Sequence, residues 1–542
     1  MNRPVARIAD PVADDVAGAR EIKFSLPDRY NASRILFDNL ENGNAERVAV
    51  HSPLGNSSYR ELCRAAARAG NALLSVGLAR GERVLLFLND CPAYAAFAFG
   101  AIRAGLVPVL TNTLTPPELI AFYLNDACAR VVVIDAALAC QLTPEALAAT
   151  PVETVIIVNG AGDLPHTCRV LTYDRESKRY ADGLAEAETT RDDMAFWMYS
   201  SGSTGRPKGI VHLQHDMAYT AASYAAHVLR LRPHDICFSV PKIFFAYGFG
   251  NSLTFPFAAG ASSVLFPGRP DPAAVFGVIK QFRPTVFFGV PTVYTSLVKA
   301  PQALYCDLSS LRLCVSAAEV LASELSAAWE KLSGLQIVEG LGSTEMLHIY
   351  LSNTEAATRT GAAGLRVPGY EVKLLDPEGQ QPGDGDEGVM WVRGQSSAPL
   401  YWNRPDKTAE TMRGDWICTG DRFVRDGDGF FYFQGRADDL IKVSGQWVYP
   451  MEVELCLANH PEVHECCVLG VQLPDRRTTL KAFVVPLRAA VDPVALKTPL
   501  QEYTKKTLMP YKYPRIVELL PELPKTGTGK IDRQALAERP IA

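Results

Sequence analysis

Between Tyr199 and Gly209 the chain reads YSSGSTGRPKG. Four hydroxyl residues (Ser200, Ser201, Ser203, Thr204), three glycines (Gly202, Gly205, Gly209) and Lys208 directly follow the apolar run MAFWMY. Glycines let backbone amides approach a phosphate closely, hydroxyls donate to its oxygens, and a lysine adds a point charge. The chemistry this composition supports is the holding of a polyphosphate. The spacing is not that of a P-loop, which needs Gly at position 207 and Ser or Thr at 209, where Pro207 and Gly209 stand. Two other segments imitate ligand motifs. Gly383 to Gly388 spells GxGxxG, yet Asp384, Asp386 and Glu387 would repel a pyrophosphate and a strand-like VMWVRG follows, so a turn is expected. Asp426-Gly-Asp-Gly429 lacks the later carboxylates of a calcium loop, and a hairpin tip between FVR and FFYF is expected instead. No HExxH or CxxC occurs, so the twelve cysteines carry no zinc signature and are expected to be reduced and mostly buried.

A phosphate-holding loop needs rigid elements on both sides. From about residue 45 to 160, short β-rich runs alternate with Ala- and Leu-rich helical runs. RVAVH precedes YRELCRAAARAGNALLSVG, and RVLLFLN precedes AYAAFAFGAIRAG. LVPVL, RVVVIDA and TVIIVNG continue the series. Continuous Val/Ile strands separated by helices read as buried parallel strands in an α/β layer fold. The pattern returns in VFGVIKQFRPTVFFGVPTVYTSLV from Val275, read as helix, strand, helix. From about 365 the texture changes to short strands and turns (YEVKLLD, EGVMWVRG, RFVRDGDGFFYFQG), and the chain closes on the Pro-, Gly- and Lys-rich LPKTGTGK. The expected architecture is a large α/β N-terminal domain of several subdomains with parallel and mixed sheets, 1–435. A small, mobile α+β C-terminal domain follows, 436–542.

Composition bounds the function. Across 542 residues, Lys+Arg 54 against Asp+Glu 59 give a formal charge of −5, with 48% hydrophobic and 21% charged residues. These values exclude a disordered chain, a collagen and a coiled-coil rod. They provide no basic field for nucleic acid or an anionic membrane. The most apolar stretch, Tyr94–Leu110, is interrupted by Arg103 and Pro108, so no membrane span is expected. The first thirty residues carry charges and no apolar block, which predicts no signal peptide and a cytoplasmic location.

Five segments in order carry a resemblance: the loop at 199–209, LGSTE (341–345), TGD (419–421), GRADDLIKVSG (435–445) and PKTGTGK (524–530). Together they resemble the adenylate-forming superfamily of acyl-CoA synthetases, luciferases and peptide-synthetase adenylation domains, over nearly the whole chain. The resemblance implies ATP, Mg²⁺ and coenzyme A as co-substrates and cofactor, with an acyl-adenylate formed first and a thioester second. By it, Ser200, Ser201, Gly202, Ser203, Thr204, Gly205 and Lys208 hold the phosphates. Ala317, Ala318 and Glu319, with Gly340, Leu341, Gly342, Ser343 and Thr344, line the nucleotide, and Thr344 meets the α-phosphate. Glu345 and Thr204 hold the metal, and Asp421 and Arg436 grip the ribose. Lys530 is the catalytic lysine of adenylation, Asp438 the interdomain hinge, and Ser444 and Gly445 the passage for the pantetheine arm. One departure stands out: most relatives stack a tyrosine on adenine where this chain has Leu341, an aliphatic contact.

The acid pocket of such enzymes is built from three segments, here KIFFAYGFGN (242–251), FFGVPTVY (287–294) and EGLGSTEMLHIY (339–350). Their density of Phe, Tyr and Gly suits a flat, compact, apolar acid. FFAYGFGN and STEMLHIYLSN look particularly like benzoate–CoA ligases, which would place Ala246, Tyr247, Gly342, His348 and Ile349 around the ring. The expected activity is therefore an AMP-forming acid–CoA ligase acting on benzoate or a related aryl acid. A ligase for a non-aromatic cyclic or short branched acid, and an adenylation domain loading a carrier protein, stay open as alternatives, as does a homodimer.

Overall fold

The computed structural model describes residues 21–162, 164, 168–200, 207–319, 321–437, 441–443, 446–473, 477–487, 493–509, 511–525 and 531–540. It is a mixed α/β protein. A seven-stranded sheet runs in the spatial order Arg169–Thr172, Thr154–Val158, Val131–Asp135, Arg83–Phe87, Val107–Leu110, Met194–Ser200, Lys208–Leu213. Every neighbouring pair is parallel except the last. The Val/Ile strands Val131–Asp135 and Thr154–Val158 are buried along their whole length, as unbroken apolar runs between helical layers must be.

The helix Tyr59–Ser75 opens with a capping box in which Ser58 and Glu61 satisfy each other's backbone amides. It packs on Pro92–Arg103 so closely that a Cβ on Gly100 would lie 2.3 Å from the Ala66 carbonyl oxygen. Glycine at 100 is a packing requirement.

A nine-stranded sheet forms the second layer, ordered Leu365–Arg366, Ile349–Ser352, Ile337–Gly342, Leu313–Ser316, Val286–Gly289, Ile236–Ser239, Ser262–Val264, Val48–His51, Ser57–Ser58. Its centre is parallel and its two ends antiparallel. The segment from Val275 folds as Pro272–Phe282, Val286–Gly289 and Pro291–Lys299, in the expected order of helix, strand, helix. Two π-helical stretches, Ala221–Leu229 and Gly250–Thr254, were not anticipated, because an apolar run repeating near 3.6 does not distinguish an extra residue per turn.

Glu371–Leu375, Glu387–Arg393, Trp416–Arg425, Met412–Arg413 and Phe431–Arg436 form an antiparallel unit. Both imitation motifs lie here. Asp386 N donates to the Gly383 carbonyl at 3.1 Å, making the expected turn before Glu387–Arg393. Asp426 to Gly429 is the expected hairpin tip, and Arg359 pairs with Asp426 and Asp428. Farther on, Val463–Gln472, Thr478–Pro486 and Ile516–Leu519 make a three-stranded sheet with its own apolar cluster around Val468, Leu480, Val484 and Leu500. All twelve cysteines are free thiols, and seven of them are buried. Among the described residues, no helix is long and apolar enough to cross a membrane.

Candidate active site

Ser200 ends the strand Met194–Ser200 and Lys208 opens Lys208–Leu213, and the two residues are register partners. The antiparallel pairing brings the first hydroxyl and the lysine of the sequence motif side by side. Ser201, Gly202, Ser203, Thr204 and Gly205 lie outside the described residues. The strand end is anchored from below: the Tyr199 hydroxyl donates to Asp126 Oδ2 at 2.9 Å, and Trp402 Nε1 donates to the Asp126 carbonyl at 2.8 Å.

The second sheet delivers the next group. Ser316 ends its strand, with Ala317, Ala318 and Glu319 following; Ala318 adopts φ +75°. Ser316 pairs in register with Glu339, so the parallel neighbour carries Gly340, Leu341 and Gly342 beyond that edge, and Ser343, Thr344 and Glu345 follow. A Cβ on Gly342 would lie 2.4 Å from the His348 carbonyl oxygen, so no side chain fits there. Glu345 sits in a turn. Its Oε1 accepts the Tyr401 hydroxyl at 2.7 Å, and its backbone carbonyl accepts Ala398 N at 2.7 Å.

Thr344 is held by residues that the motif did not reveal. Its carbonyl lies 2.9 Å from His212 Nε2, while His212 Nδ1 lies 2.8 Å from Asp216 Oδ2, and both side chains are fully buried. A carbonyl only accepts, so Nε2 carries a proton and the imidazole is fixed end to end.

Asp421 and Arg436 face each other as register partners on adjacent strands, with Nη1 to Oδ1 at 3.3 Å. The buried Tyr350 feels the charges of both this pair and Glu345. Burial, then the charges of Asp421 and Glu345, push its phenol well above the ordinary range, with Arg436 opposing. Burial, together with Glu345, does the same to Tyr401. Lys208 Nζ lies 4.4 Å from the centroid of the Tyr401 ring. Lys208, Asp421 and Arg436 from two sheets and Glu345 from a turn thus converge around two tyrosines.

Ala246 and Tyr247 begin the helix Ala246–Phe249, which runs into the π-helical Gly250–Thr254. Tyr247 and His348 rings lie 5.5 Å apart, and Tyr224 and Phe255 flank the same imidazole at 5.2 and 4.5 Å. Burial lowers the His348 pKa to about 3, so the ring is neutral; Nε2, 3.3 Å from the Tyr247 carbonyl, is the protonated nitrogen. Ile349 packs where a Cβ on Gly340 would come within 2.9 Å of its Cδ1. Ala246, Tyr247, Gly342, His348 and Ile349 are therefore neighbours in space. Asp438, Ser444, Gly445 and Lys530 lie outside the described residues.

Glu345 fits a hard cation. Among the described residues no Lys, Arg or His pairs with its carboxylate, and only one oxygen is engaged, by a neutral hydroxyl. A single carboxylate beside phosphate oxygens is the donor set that Mg²⁺ prefers.

Tyr401, Tyr350, His212 and Asp216 are the groups that sequence reasoning missed. His212 and Asp216 stand four apart just after the lysine, a spacing that could have flagged them; Tyr401 gives no such signal, because only the fold returns it to Glu345.

Two family models match the chain. Residues 37–402 match the AMP-binding enzyme family, and residues 452–530 match the AMP-binding enzyme C-terminal domain. The chain is 39% identical to the benzoate–CoA ligase of Thauera aromatica, covering 94% of this chain and 96% of that protein. It is also 39% identical to the 4-hydroxybenzoate–CoA/benzoate–CoA ligase of Rhodopseudomonas palustris, over 94% of each. Among solved structures, an anthranilate CoA ligase in complex with anthranoyl-AMP superposes with a TM-score of 0.88 at 37% identity, over 94% of this chain and 97% of that one. A benzoate CoA ligase from Burkholderia xenovorans gives 0.85 at 36%, over 94% and 100%.

Proposed function

The chain belongs to the AMP-binding enzyme family, and on that premise we propose that it is an ATP-dependent, AMP-forming ligase joining benzoate or a related aryl acid to coenzyme A. The observation that carries the reading is the meeting of Lys208, Glu345, Asp421 and Arg436 with, close by in the chain, the aromatic cluster of Tyr247 and His348.

A carboxylate is a poor electrophile and must be activated. Its oxygen attacks the α-phosphorus of ATP, pyrophosphate leaves, and an acyl-adenylate forms. The thiol sulfur of coenzyme A then attacks the acyl carbon, AMP leaves with the bonding electrons, and the thiol proton is released. In this reading Ser200 and Lys208 hold phosphate oxygens, with the charge of Lys208 offsetting the pyrophosphate that departs. The Thr344 segment, fixed through its carbonyl by His212, is presented toward the α-phosphate. Asp421 and Arg436 orient the ribose. Glu345 is the residue of the described chain that would hold Mg²⁺, which supplies positive charge to the phosphate oxygens.

The aromatic surroundings of His348 support the aryl assignment. A neutral His348 imidazole and the tyrosine ring present apolar faces, and each Å² of apolar substrate they cover is worth roughly 25 cal/mol. Acetate has too little such surface to gain from those faces.

Lys530 as the adenylation lysine, Asp438 as the hinge, Ser444 and Gly445 as the thiol passage and a boundary at 435/436 belong to the same proposal, as do a cytoplasmic setting and a homodimer. The test is a panel of acetate, octanoate, cyclohexanecarboxylate, benzoate and hydroxy- and aminobenzoates. It is assayed for acid-dependent ATP–pyrophosphate exchange and for thioester formation with free coenzyme A. An aryl acid should show the highest kcat/KM in both. Exchange without thioester formation would turn the reading toward carrier loading, and a higher efficiency on octanoate would remove the aryl assignment.

A further inference from the structure

Two opposite charges of this site share one aromatic side chain. Lys208 Nζ lies 4.4 Å from the centroid of the Tyr401 ring, and the hydroxyl of the same ring donates to Glu345 Oε1 at 2.7 Å. Among the described residues neither charge has an ion-pair partner, and they do not pair with each other. A lysine and a glutamate on facing elements would otherwise be free to close on one another. That contact would occupy the ammonium meant for phosphate and the carboxylate meant for a cation.

Tyr401 is unusually well placed to prevent this. Its backbone bridges Ile210 on the strand that begins with Lys208, and Trp402 N donates to the Gly209 carbonyl at 2.8 Å. The same segment holds the other partner: Ala398 N donates to the Glu345 carbonyl at 2.7 Å, and the Ser396 hydroxyl donates to the Met346 carbonyl at 2.9 Å. Tyr401 is 2% exposed, so its ring has no freedom to swing away. The hydroxyl bond to Glu345 occupies one carboxylate oxygen and leaves the other for a hard cation.

We infer that Tyr401 is a positioning residue that holds Lys208 and Glu345 apart, one on its ring face and one on its hydroxyl, so that both stay available to Mg²⁺·ATP. The inference rests on the ligase reading, in that it takes the ligand of this site to be Mg²⁺·ATP. Tyr401 touches no reacting atom; it acts through the two charges it spaces.

Two variants separate its two contacts. Tyr401→Phe keeps the ring under Lys208 and removes only the hydroxyl from Glu345. Tyr401→Leu removes both. Binding is read by isothermal titration of ATP into each protein, with MgCl₂ and with EDTA. Thioester transfer from a pre-made aroyl-adenylate is measured in parallel.

Tyr401→Phe should weaken the Mg²⁺-dependent part of ATP binding about tenfold and raise the Mg²⁺ needed for half-maximal pyrophosphate exchange. Binding in EDTA and thioester transfer should stay within about twofold of wild type. Tyr401→Leu should weaken binding in EDTA as well, because Lys208 loses its seat. Tyr401→Phe is nearly isosteric, so it carries the test if the leucine variant fails to fold. If wild type binds Mg²⁺·ATP and Tyr401→Phe binds it equally, or if both half-reactions fall together with no change in Mg²⁺ dependence, the spacing role is wrong while the ligase reading stands. If wild type binds no Mg²⁺·ATP, the ligase reading falls, and this inference with it.

Discussion

Glu339 stands just before the glycines that turn the chain toward Thr344 and Glu345, and it is a buried carboxyl that pairs with no cation among the described residues. Its Oε1 accepts Leu321 N at 3.2 Å, and burial raises its pKa to about 7. The consequence for stability has a definite sign. Between the ordinary carboxyl range near 4.5 and about 7, the folded protein keeps a proton that the unfolded chain has lost, so stability falls as pH rises through that window and is level above it. The burial penalty fully present above pH 7 is on the order of 3 kcal/mol. Glu339→Gln removes the charge and keeps the acceptor. Its melting temperature should exceed wild type at pH 8.5 and match it at pH 4.5; equal differences at both would show that Glu339 is not the titrating group. Residues of this kind mark the limit of sequence reading. Lys208 and Glu345 were legible because each lies within a contiguous motif whose chemistry shows in the neighbouring residue types. Tyr401, 56 positions beyond Glu345, was not, because a tyrosine in YWNRP carries no periodic or chemical sign of which carboxylate its hydroxyl will find. His348 was legible as a pocket candidate, but its neutral state follows from burial that only packing reveals.

At the level of elements, the site is made where two strands run close together. Ile337–Gly342 and Ile349–Ser352 pair antiparallel with an irregularity between Leu341 and Gly342, and at that point the His348 backbone comes within 2.4 Å of where a Gly342 Cβ would be. The clashing atom is a backbone oxygen, so a rotamer change cannot relieve it. Gly342→Ala should displace the Ser343–Glu345 segment relative to His348, cost about 1–3 kcal/mol of stability, and lower pyrophosphate exchange by at least tenfold. A variant with wild-type exchange and wild-type melting would show that the strands part freely. The parallel strands themselves were readable in advance: Val131–Asp135 and Thr154–Val158 are uninterrupted apolar runs because both faces are covered. The π-helical Gly250–Thr254 was not, since its form answers to the His348 ring packed against Gly250, where a Cβ would lie 2.4 Å from Cδ2. Local propensity holds no information about that neighbour.

At the scale of the whole molecule, the residues after Arg436 carry an apolar cluster of their own, centred on Val468, Leu480 and Val484, and touch the preceding unit through polar contacts such as Tyr449 Oη to Glu387 Oε1 at 2.7 Å. A hydrogen bond of this kind is worth about 1 kcal/mol net, which holds one arrangement without forbidding another. The proposed assignment needs two arrangements. Lys530 serves adenylation and Gly445 serves the thiol, and one small unit cannot present both at the same nucleotide. In that proposal the pivot falls between Arg436, tied by its side chain to Asp421, and the first paired strands of the small unit, Ile441–Val443 and Gln446–Val448. Asp438 lies in that interval. Proline fixes φ near −65°, so Asp438→Pro should trap one backbone state and separate the half-reactions. Pyrophosphate exchange and thioester release from pre-made aroyl-adenylate are the two measurements, made on protein whose melting curve matches wild type. One should persist within a few-fold while the other falls by at least a hundredfold, because a frozen pivot leaves one arrangement intact. A parallel decline in both would instead make Asp438 an ordinary turn residue, and the alternation would need a different pivot.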